Sequence, residues 1–104
     1  MLTVVAEIIC AAETDFVRVL ESFKKIRPRV LQEAGCYGYD IYIDDLSGES
    51  AMQAKVPYSI IMYEKWETRQ DLETHMHSVN MKAHQEAIQG AGLQVQVRIL
   101  EQVI

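Results

Sequence analysis

The chain has 104 residues, of which 49% are hydrophobic, and this length fits a single domain over residues 1–104 rather than two independent cores. Its 10 Lys and Arg against 15 Asp and Glu give a formal charge of −5, which disfavours a nucleic-acid groove or an anionic membrane surface. No apolar run approaches the roughly 20 residues of a membrane span. The first basic residue is Arg18, so no basic leader is visible, and we expect a cytoplasmic protein.

The first third of the chain predicts a strand followed by a long helix. Residues 2–10 are rich in β-branched side chains, which is typical of a strand. Residues 13–33 carry apolar side chains at helical spacing. We expect Thr14 to cap this helix, Pro28 to kink or restart it, and Gly35 to end it.

The remaining chain predicts three more strands and a helix in two pieces. Alternating and β-branched side chains indicate strands over residues 36–44, 58–66 and 93–103, and a polar loop separates the first two of them. Between the last two strands, residues 68–76 and 78–89 each open with a hydroxyl residue that can cap a helix.

This βαββαβ order predicts an α+β, ferredoxin-like fold with an antiparallel sheet whose helices cover one face. Neither face of the sheet is polar, because Val4, Ala6 and Ile8 point to one side of the first strand, and Val5 and Ile9 point to the other. A second copy of the chain would cover the remaining apolar face, so we expect a homodimer. The alternative is a monomer with an unusually apolar surface.

Three residues stand out as candidates for chemistry. Glu64 lies in an apolar strand with Met62 and Trp66 on the same face, so it needs a partner or has its pKa raised by desolvation. It is either a proton-handling or orienting carboxylate, or a salt-bridged or rim residue. Trp66 is either core or a wall for a flat aromatic ligand. His75 follows Leu72 by one turn, on the face expected to meet the sheet, and is either a catalytic base or a hydrogen-bonded core residue.

A cavity between the helices and the sheet would be lined by methionine and aromatic side chains. The candidates are Tyr39, Met62, Tyr63, Trp66 and Met81. Such side chains favour flat, polarisable ligands such as quinones and phenols, although they also make ordinary cores.

No motif for a metal, a phosphate or a nucleophile is present. His75 and His77 are two residues apart and point to different helical faces, so they do not form a metal-binding pair. Cys10 and Cys36 lack metal-ligand spacing and predict neither a zinc site nor a disulfide framework. We therefore expect no metal.

Six short and different motifs follow one another along nearly the whole chain. They are residues 1–8 at the first strand, 33–39 at the helix-to-strand junction, 63–67 at a strand end, 72–75 and 81–83 in the second helical region, and 97–100 in the last strand. In this order and spacing the chain resembles the antibiotic biosynthesis monooxygenase family, in particular its small bacterial quinol monooxygenases.

The resemblance implies a homodimeric α+β barrel with a cavity between sheet and helices. It also implies oxygenation of a quinol or polycyclic phenol by O2 without metal, flavin, haem or any other cofactor. Position by position, Trp66 and His75 fall on motif positions associated with the pocket, and Glu64 falls on the neighbouring carboxylate. The resemblance thus implies His75, Glu64 and Trp66 as catalytic residues.

One departure from the family's pattern concerns the start of the last helix. Relatives often carry Pro-His where this chain has Val79 and Asn80. Asn80 cannot act as a base near neutral pH but can hydrogen-bond a substrate oxygen. His84 follows one turn later on the same face, and we expect both Asn80 and His84 to bind substrate.

Three other functions remain open from sequence. A small-molecule isomerase or degradative enzyme on the same fold would use Arg27, Arg29 or Arg98 near the cavity as a cationic clamp. A haem-binding or haem-degrading protein would use a helical histidine as ligand. A quinone-binding module without turnover would share the same cavity.

Overall fold

The computed structural model describes residues 1–104 and confirms the ferredoxin-like order, with the second helical region in two pieces. The elements are β1 (Leu2–Cys10), α1 (Glu13–Val30), β2 (Cys36–Ile43), β3 (Ser59–Trp66), α2 (Arg69–Met76), α3 (Val79–Ala87) and β4 (Leu93–Leu100). The four strands form one antiparallel sheet in the order β2-β3-β1-β4. No helix combines the length and the apolar character that crossing a bilayer requires.

Helix α1 differs from the sequence prediction at both ends. Its N-cap is Ala12, whose side chain makes no capping hydrogen bond, and Thr14 lies inside the first turn. The helix does not restart at Pro28, which lies in the last turn: its missing N–H costs one backbone hydrogen bond, and only two helical residues follow it. It ends at Val30, three residues earlier than predicted, and Gly35 occupies the following turn with a φ of 75°.

The two helix starts in the second half follow the predicted capping chemistry. The Thr68 hydroxyl accepts a hydrogen bond from the Asp71 backbone N–H at 3.1 Å, and α2 begins at the next residue. The Ser78 hydroxyl accepts one from the Met81 backbone N–H at 3.2 Å, and α3 follows. These caps fix where both helices begin above the sheet.

Strand β4 ends at Leu100 rather than at residue 103. Leu100 pairs with Thr3 of β1, and β1 itself begins only one residue earlier, at Leu2. Beyond Leu100 the chain has no partner strand with which to share backbone hydrogen bonds. The other strand ends lie within one residue of their predicted positions.

The helices cover most, but not all, of one sheet face. Cross-strand partners share a face, so Ala6 of β1 lies beside Met62 of β3 and Val97 of β4. The first two are buried in the core, whereas the helical layer leaves the inner row of β4 open. Its members Val95, Val97 and Ile99 are 59%, 53% and 43% exposed.

The opposite face of the sheet carries no helix at all. Val5 and Ile9 of β1 and Ile61 and Tyr63 of β3 lie there half-buried, and Tyr42 of β2 is 55% exposed. We call these five residues the open face. The same face also carries charged side chains such as Glu7 and Arg98, so the prediction that this face is apolar is confirmed only in part.

Candidate active site

A cavity of about 250 Å³ lies between the helices and the covered face of the sheet. Its lining is overwhelmingly apolar, and its few polar side chains are contributed by separate elements of the fold. Among the residues singled out from sequence, the cavity brings together Tyr39, Met62, Glu64, His75, Met81 and His84. An apolar pocket with a small number of convergent polar groups is typical of a ligand site.

The imidazole of His75 on α2 lies between two carboxylates. Its Nδ1 is 2.8 Å from Glu33 Oε1, and its Nε2 is 3.9 Å from Glu64 Oε1. Glu64 lines the cavity, whereas Glu33 lines a separate groove on the outside of the molecule, and His75 borders both. Nε2 therefore faces the cavity side, and Nδ1 faces the outer groove.

Glu33 was not singled out by sequence analysis as a functional residue. It lies in the turn between α1 and β2, and its Oε2 accepts a hydrogen bond from Asn80 Nδ2 at 2.8 Å. The one available signal is that Glu33 opens the junction motif at residues 33–39. The prediction that Asn80 contacts substrate needs correction, because this side chain is turned to Glu33 and does not line the cavity.

Trp66 does not form a cavity wall, contrary to the prediction. It is fully buried at the end of β3, where the His75 ring packs over the indole with the centroids 4.5 Å apart and the planes at 31°. Its Nε1–H donates a hydrogen bond to Glu64 Oε1 at 3.0 Å. Trp66 thus contacts His75 and Glu64 and does not line the cavity.

The environment of Glu64 alters its acidity. Burial raises the pKa of this carboxyl above its usual value, and the nearby Glu33 charge adds to that rise. The hydrogen bond from Trp66 and the proximity of His75 act in the opposite direction but do not cancel it. Glu64 is therefore easier to protonate than an ordinary glutamate, which suits a group that handles protons.

Tyr63 lies on the other side of the sheet from the cavity. Because Met62 and Glu64 point inward, strand alternation turns the residue between them outward. The Tyr63 ring contacts Tyr42 edge-on at 6.5 Å, and Lys65 Nζ lies 5.4 Å from its centroid. The prediction that Tyr63 lines the cavity is wrong for this reason.

Tyr39 of β2 is a nearly inaccessible part of the cavity wall. Its hydroxyl lies 3.9 Å from the Met81 sulfur, and its ring meets the His75 ring edge-on at 5.4 Å. Burial, followed by the Glu64 and Glu33 charges, raises the pKa of Tyr39. The phenol consequently stays neutral across the physiological pH range.

His84 of α3 is a second histidine on the cavity lining. Its Nδ1 lies 2.7 Å from Ser22 Oγ, and its ring stacks on Phe23 with the centroids 4.1 Å apart. Burial lowers the pKa of His84 to about 4, so the ring is neutral at pH 7. This histidine can exchange hydrogen bonds with a bound ligand but cannot offer it a positive charge.

Neither metal-type clusters nor disulfides occur in the structure. No group of three His, Cys, Asp or Glu side chains is arranged to hold a metal ion. Cys10 and Cys36 are both free thiols.

Comparison with known proteins places the chain in a family. The family model described as antibiotic biosynthesis monooxygenase matches residues 1–87, and the chain belongs to this family. The chain is 43% identical over 102 residues to the Escherichia coli K12 protein named "Probable quinol monooxygenase YgiN", with 97% of each chain covered. A Shigella flexneri protein of the same name matches equally well. The resemblance stated from sequence is thus confirmed.

Solved structures show the same fold at low sequence identity. A crystal structure of an antibiotic biosynthesis monooxygenase superposes with a TM-score of 0.81 at 21% identity, covering 100% of both chains. PA3566 from Pseudomonas aeruginosa gives a TM-score of 0.79 at 20% identity, covering 99% of this chain and 94% of that one. At such identities the likeness establishes the fold of the protomer.

Proposed function

We propose that this protein is a cofactor-independent monooxygenase that hydroxylates a quinol, or a related polycyclic phenol, with O2. The observation that carries the proposal is a buried histidine, His75, set between two carboxylates at the wall of an apolar cavity. The name of the 43% identical relative supports a quinol as the substrate.

The chemistry needs only a base, a dry cavity and the substrate's own electrons. His75 Nε2 accepts the hydroxyl proton of the quinol, and the resulting electron-rich anion passes an electron to O2. The radical pair then combines to form a carbon–oxygen bond, and the O–O bond breaks with release of water. Quinol and O2 become hydroxyquinone and water, so the substrate supplies all four electrons and the proton on His75 returns to the departing oxygen.

The remaining site residues support this step in two ways: some contact His75, and others contact the substrate. Glu64 lies 3.9 Å from Nε2 of His75 as a second nearby carboxylate, and Trp66 contacts both groups on the side away from the cavity. Met62 and Met81 offer polarisable contacts to a flat ring. His84 gives the substrate a second, neutral hydrogen-bonding group.

Oxygen consumption by metal-free protein tests the proposal. Purified protein is mixed with reduced menadione under ¹⁸O2, and uptake above the buffer blank is followed together with the mass of the product. We expect one ¹⁸O atom in the hydroxylated product. Uptake equal to the blank, or a product without ¹⁸O, would refute the assignment; the second result indicates simple oxidation of the quinol.

A matched pair of histidine variants locates the base. His75→Ala removes the group that borders the cavity, and we expect kcat to fall by about 100-fold or more. His77→Ala, two residues later, removes an exposed imidazole outside the cavity and should leave the rate unchanged. Equal rates in the two variants would contradict the role of His75.

The isomerase alternative has less support. It requires cationic side chains at the cavity, and no arginine or lysine is part of the lining. Arg27 instead donates hydrogen bonds to the Tyr39 carbonyl at 2.6 Å and to Asp40 at 2.9 Å, and Arg98 lies on the helix-free side of β4, opposite Val5. A haem-binding protein and a module without turnover would both leave the ¹⁸O experiment without labelled product.

We also propose that the protein is a homodimer formed through the open face. Its five side chains form an apolar patch that a second copy would cover, and burial of apolar area drives such association. Sedimentation of Tyr42→Lys tests the interface, with Val17→Lys on α1 as control, because the two side chains are similarly exposed at 55% and 49%. We expect only Tyr42→Lys to give monomers. A wild-type particle of 11.9 kDa at micromolar concentration would contradict the proposal.

A cytoplasmic location is proposed on the strength of the cysteines. Cys10 and Cys36 are both unpaired, which suits a reducing compartment. Cell fractionation with an antibody to the protein would place it, and recovery outside the cytoplasmic fraction would contradict this proposal.

A further inference from the structure

We propose that Glu33, held in place by Asn80, is the positioning residue that orients His75 and stabilises its protonated form during the reaction. This inference rests on the proposed function, because it assigns a role within the same site. It concerns a residue that does not line the cavity and meets no substrate.

The hydrogen bond between His75 and Glu33 fixes which ring nitrogen is available to substrate. An ionised carboxylate can only accept, so the 2.8 Å contact with Glu33 Oε1 requires a proton on Nδ1 of His75. In the neutral ring Nε2 then carries the lone pair, on the side where Glu64 borders the cavity. The ring is therefore held in the tautomer that a base acting on a cavity-bound hydroxyl group needs.

The same contact provides a counter-charge at the moment of proton transfer. When Nε2 accepts a proton, the imidazolium forms with only 3% of its side chain exposed and with the Glu33 carboxylate directly against Nδ1. Charge-assisted hydrogen bonds of this kind are stronger in a poorly solvated site than in water. Glu64, at 3.9 Å, lies farther from the ring than Glu33 does.

Asn80 completes the arrangement from α3. Its Nδ2 donates to Glu33 Oε2 at 2.8 Å, so each carboxylate oxygen of Glu33 has its own partner. This contact ties the turn before β2 to α3, while His75 belongs to α2. Asn80 thus acts on the base through Glu33, which gives a physical role to a residue that cannot itself accept a proton.

Other titratable groups surround His75 and require a matched control. Those near the ring or along its groove are Glu33, Cys36, Tyr39, Glu64, Asp71, Glu73 and His77. Glu73 is exposed, borders the same groove and makes no hydrogen bond to His75. Glu73→Gln therefore removes the same charge from the same groove without touching the proposed contact.

The test compares Glu33→Gln with Glu73→Gln by two measurements. The first is the proton NMR signal of His75 Nδ1–H, assigned by its loss in His75→Ala; a hydrogen bond to a carboxylate moves it downfield. We expect this downfield signal in wild type and Glu73→Gln, and its loss or upfield shift in Glu33→Gln. The second is the pH profile of kcat/KM with reduced menadione.

In Glu33→Gln the plateau of that profile should fall about 10- to 100-fold. Its acid limb should move to lower pH, because an imidazolium without its counter-charge loses its proton more readily. A merely structural role would lower the rate without moving the limb. Should Glu33→Gln not fold, Asn80→Ala serves instead, with the same direction of change and a loss of about 2- to 10-fold.

The inference is overturned if Glu33→Gln keeps both the downfield signal and the acid limb seen in Glu73→Gln. That result would leave the proposed function intact as long as wild type incorporates ¹⁸O. Conversely, absence of turnover in wild type would refute the proposed function, and the NMR comparison would then decide the positioning of His75 by Glu33 on its own.

Discussion

Acidification should destabilise this fold through His84. Burial lowers the pKa of that imidazole from 6.5 to about 4, so the unfolded chain binds a proton at mildly acidic pH that the folded chain excludes. The difference of about 2.5 units, at roughly 1.4 kcal/mol per unit, corresponds to about 3 kcal/mol of unfolding free energy. For a chain of this size, that is a large share of the total stability.

The pH window follows from the sign of the shift. The contribution of His84 is fully present above pH 6.5, is lost as the pH falls toward about 4, and changes no further below that. Glu64 works in the opposite sense, since its raised pKa means that ionisation costs stability as the pH rises above 4.5. The two effects can be separated only by a variant that removes one of them.

His84→Gln provides that separation, because glutamine does not titrate and can still pair with Ser22. Urea unfolding of wild type and variant, at one protein concentration, is measured at pH 7.5 and pH 4.5. Wild type should lose more stability between these pH values than the variant does, by most of the roughly 3 kcal/mol that burial of a neutral His84 contributes. Equal losses would show that the His84 ring is hydrated or already charged in the fold, and the reasoning would fail.

Three further stability changes are expected. Glu64→Gln should raise the unfolding free energy at pH 8, because it removes a buried charge yet keeps an oxygen for the Trp66 N–H. The same variant should lower activity. Urea titration measures the first effect, and oxygen uptake measures the second. Trp66→Phe should cost about 2 kcal/mol in the same titration, through the lost N–H donor and the smaller buried ring. Gly35→Ala should destabilise by more than Gly90→Ala: both glycines have positive φ, costing about 1–2 kcal/mol each, but only at Gly35 would the new Cβ collide with Asp71.

The strands were predictable because local composition and packing agree. β1 has the predicted bounds, since nine residues rich in β-branched side chains leave little alternative to a strand. The caps at Thr68 and Ser78 were predictable for a similar reason, because a hydroxyl that binds a backbone N–H three residues later is local chemistry. Thr14 offered the same chemistry, but the N-cap of α1 is Ala12, two residues before it, so the hydroxyl lies past the cap position.

Errors at the site arose where residue type outweighed geometry. Tyr63 was grouped with Met62 as an apolar lining residue, although adjacent strand positions point to opposite faces. Trp66 was placed on the correct face, but nothing local indicates that the His75 ring covers it. Glu33 pairs with a histidine 42 residues away, and no sequence periodicity reports a contact of that separation.

The two histidines of the cavity, His75 and His84, differ in the groups that surround their rings. His84 rests on the Phe23 ring and the Ser22 hydroxyl, so burial alone determines its state and keeps it neutral. His75 is also buried, but it has a carboxylate on each side. The negative charge of these carboxylates can stabilise a protonated ring in place of water. Under the proposed function, a quinol hydroxyl group would therefore be deprotonated at the His75 end of the cavity and not at the His84 end. This difference between the two ends would set the orientation in which a bound quinol reacts.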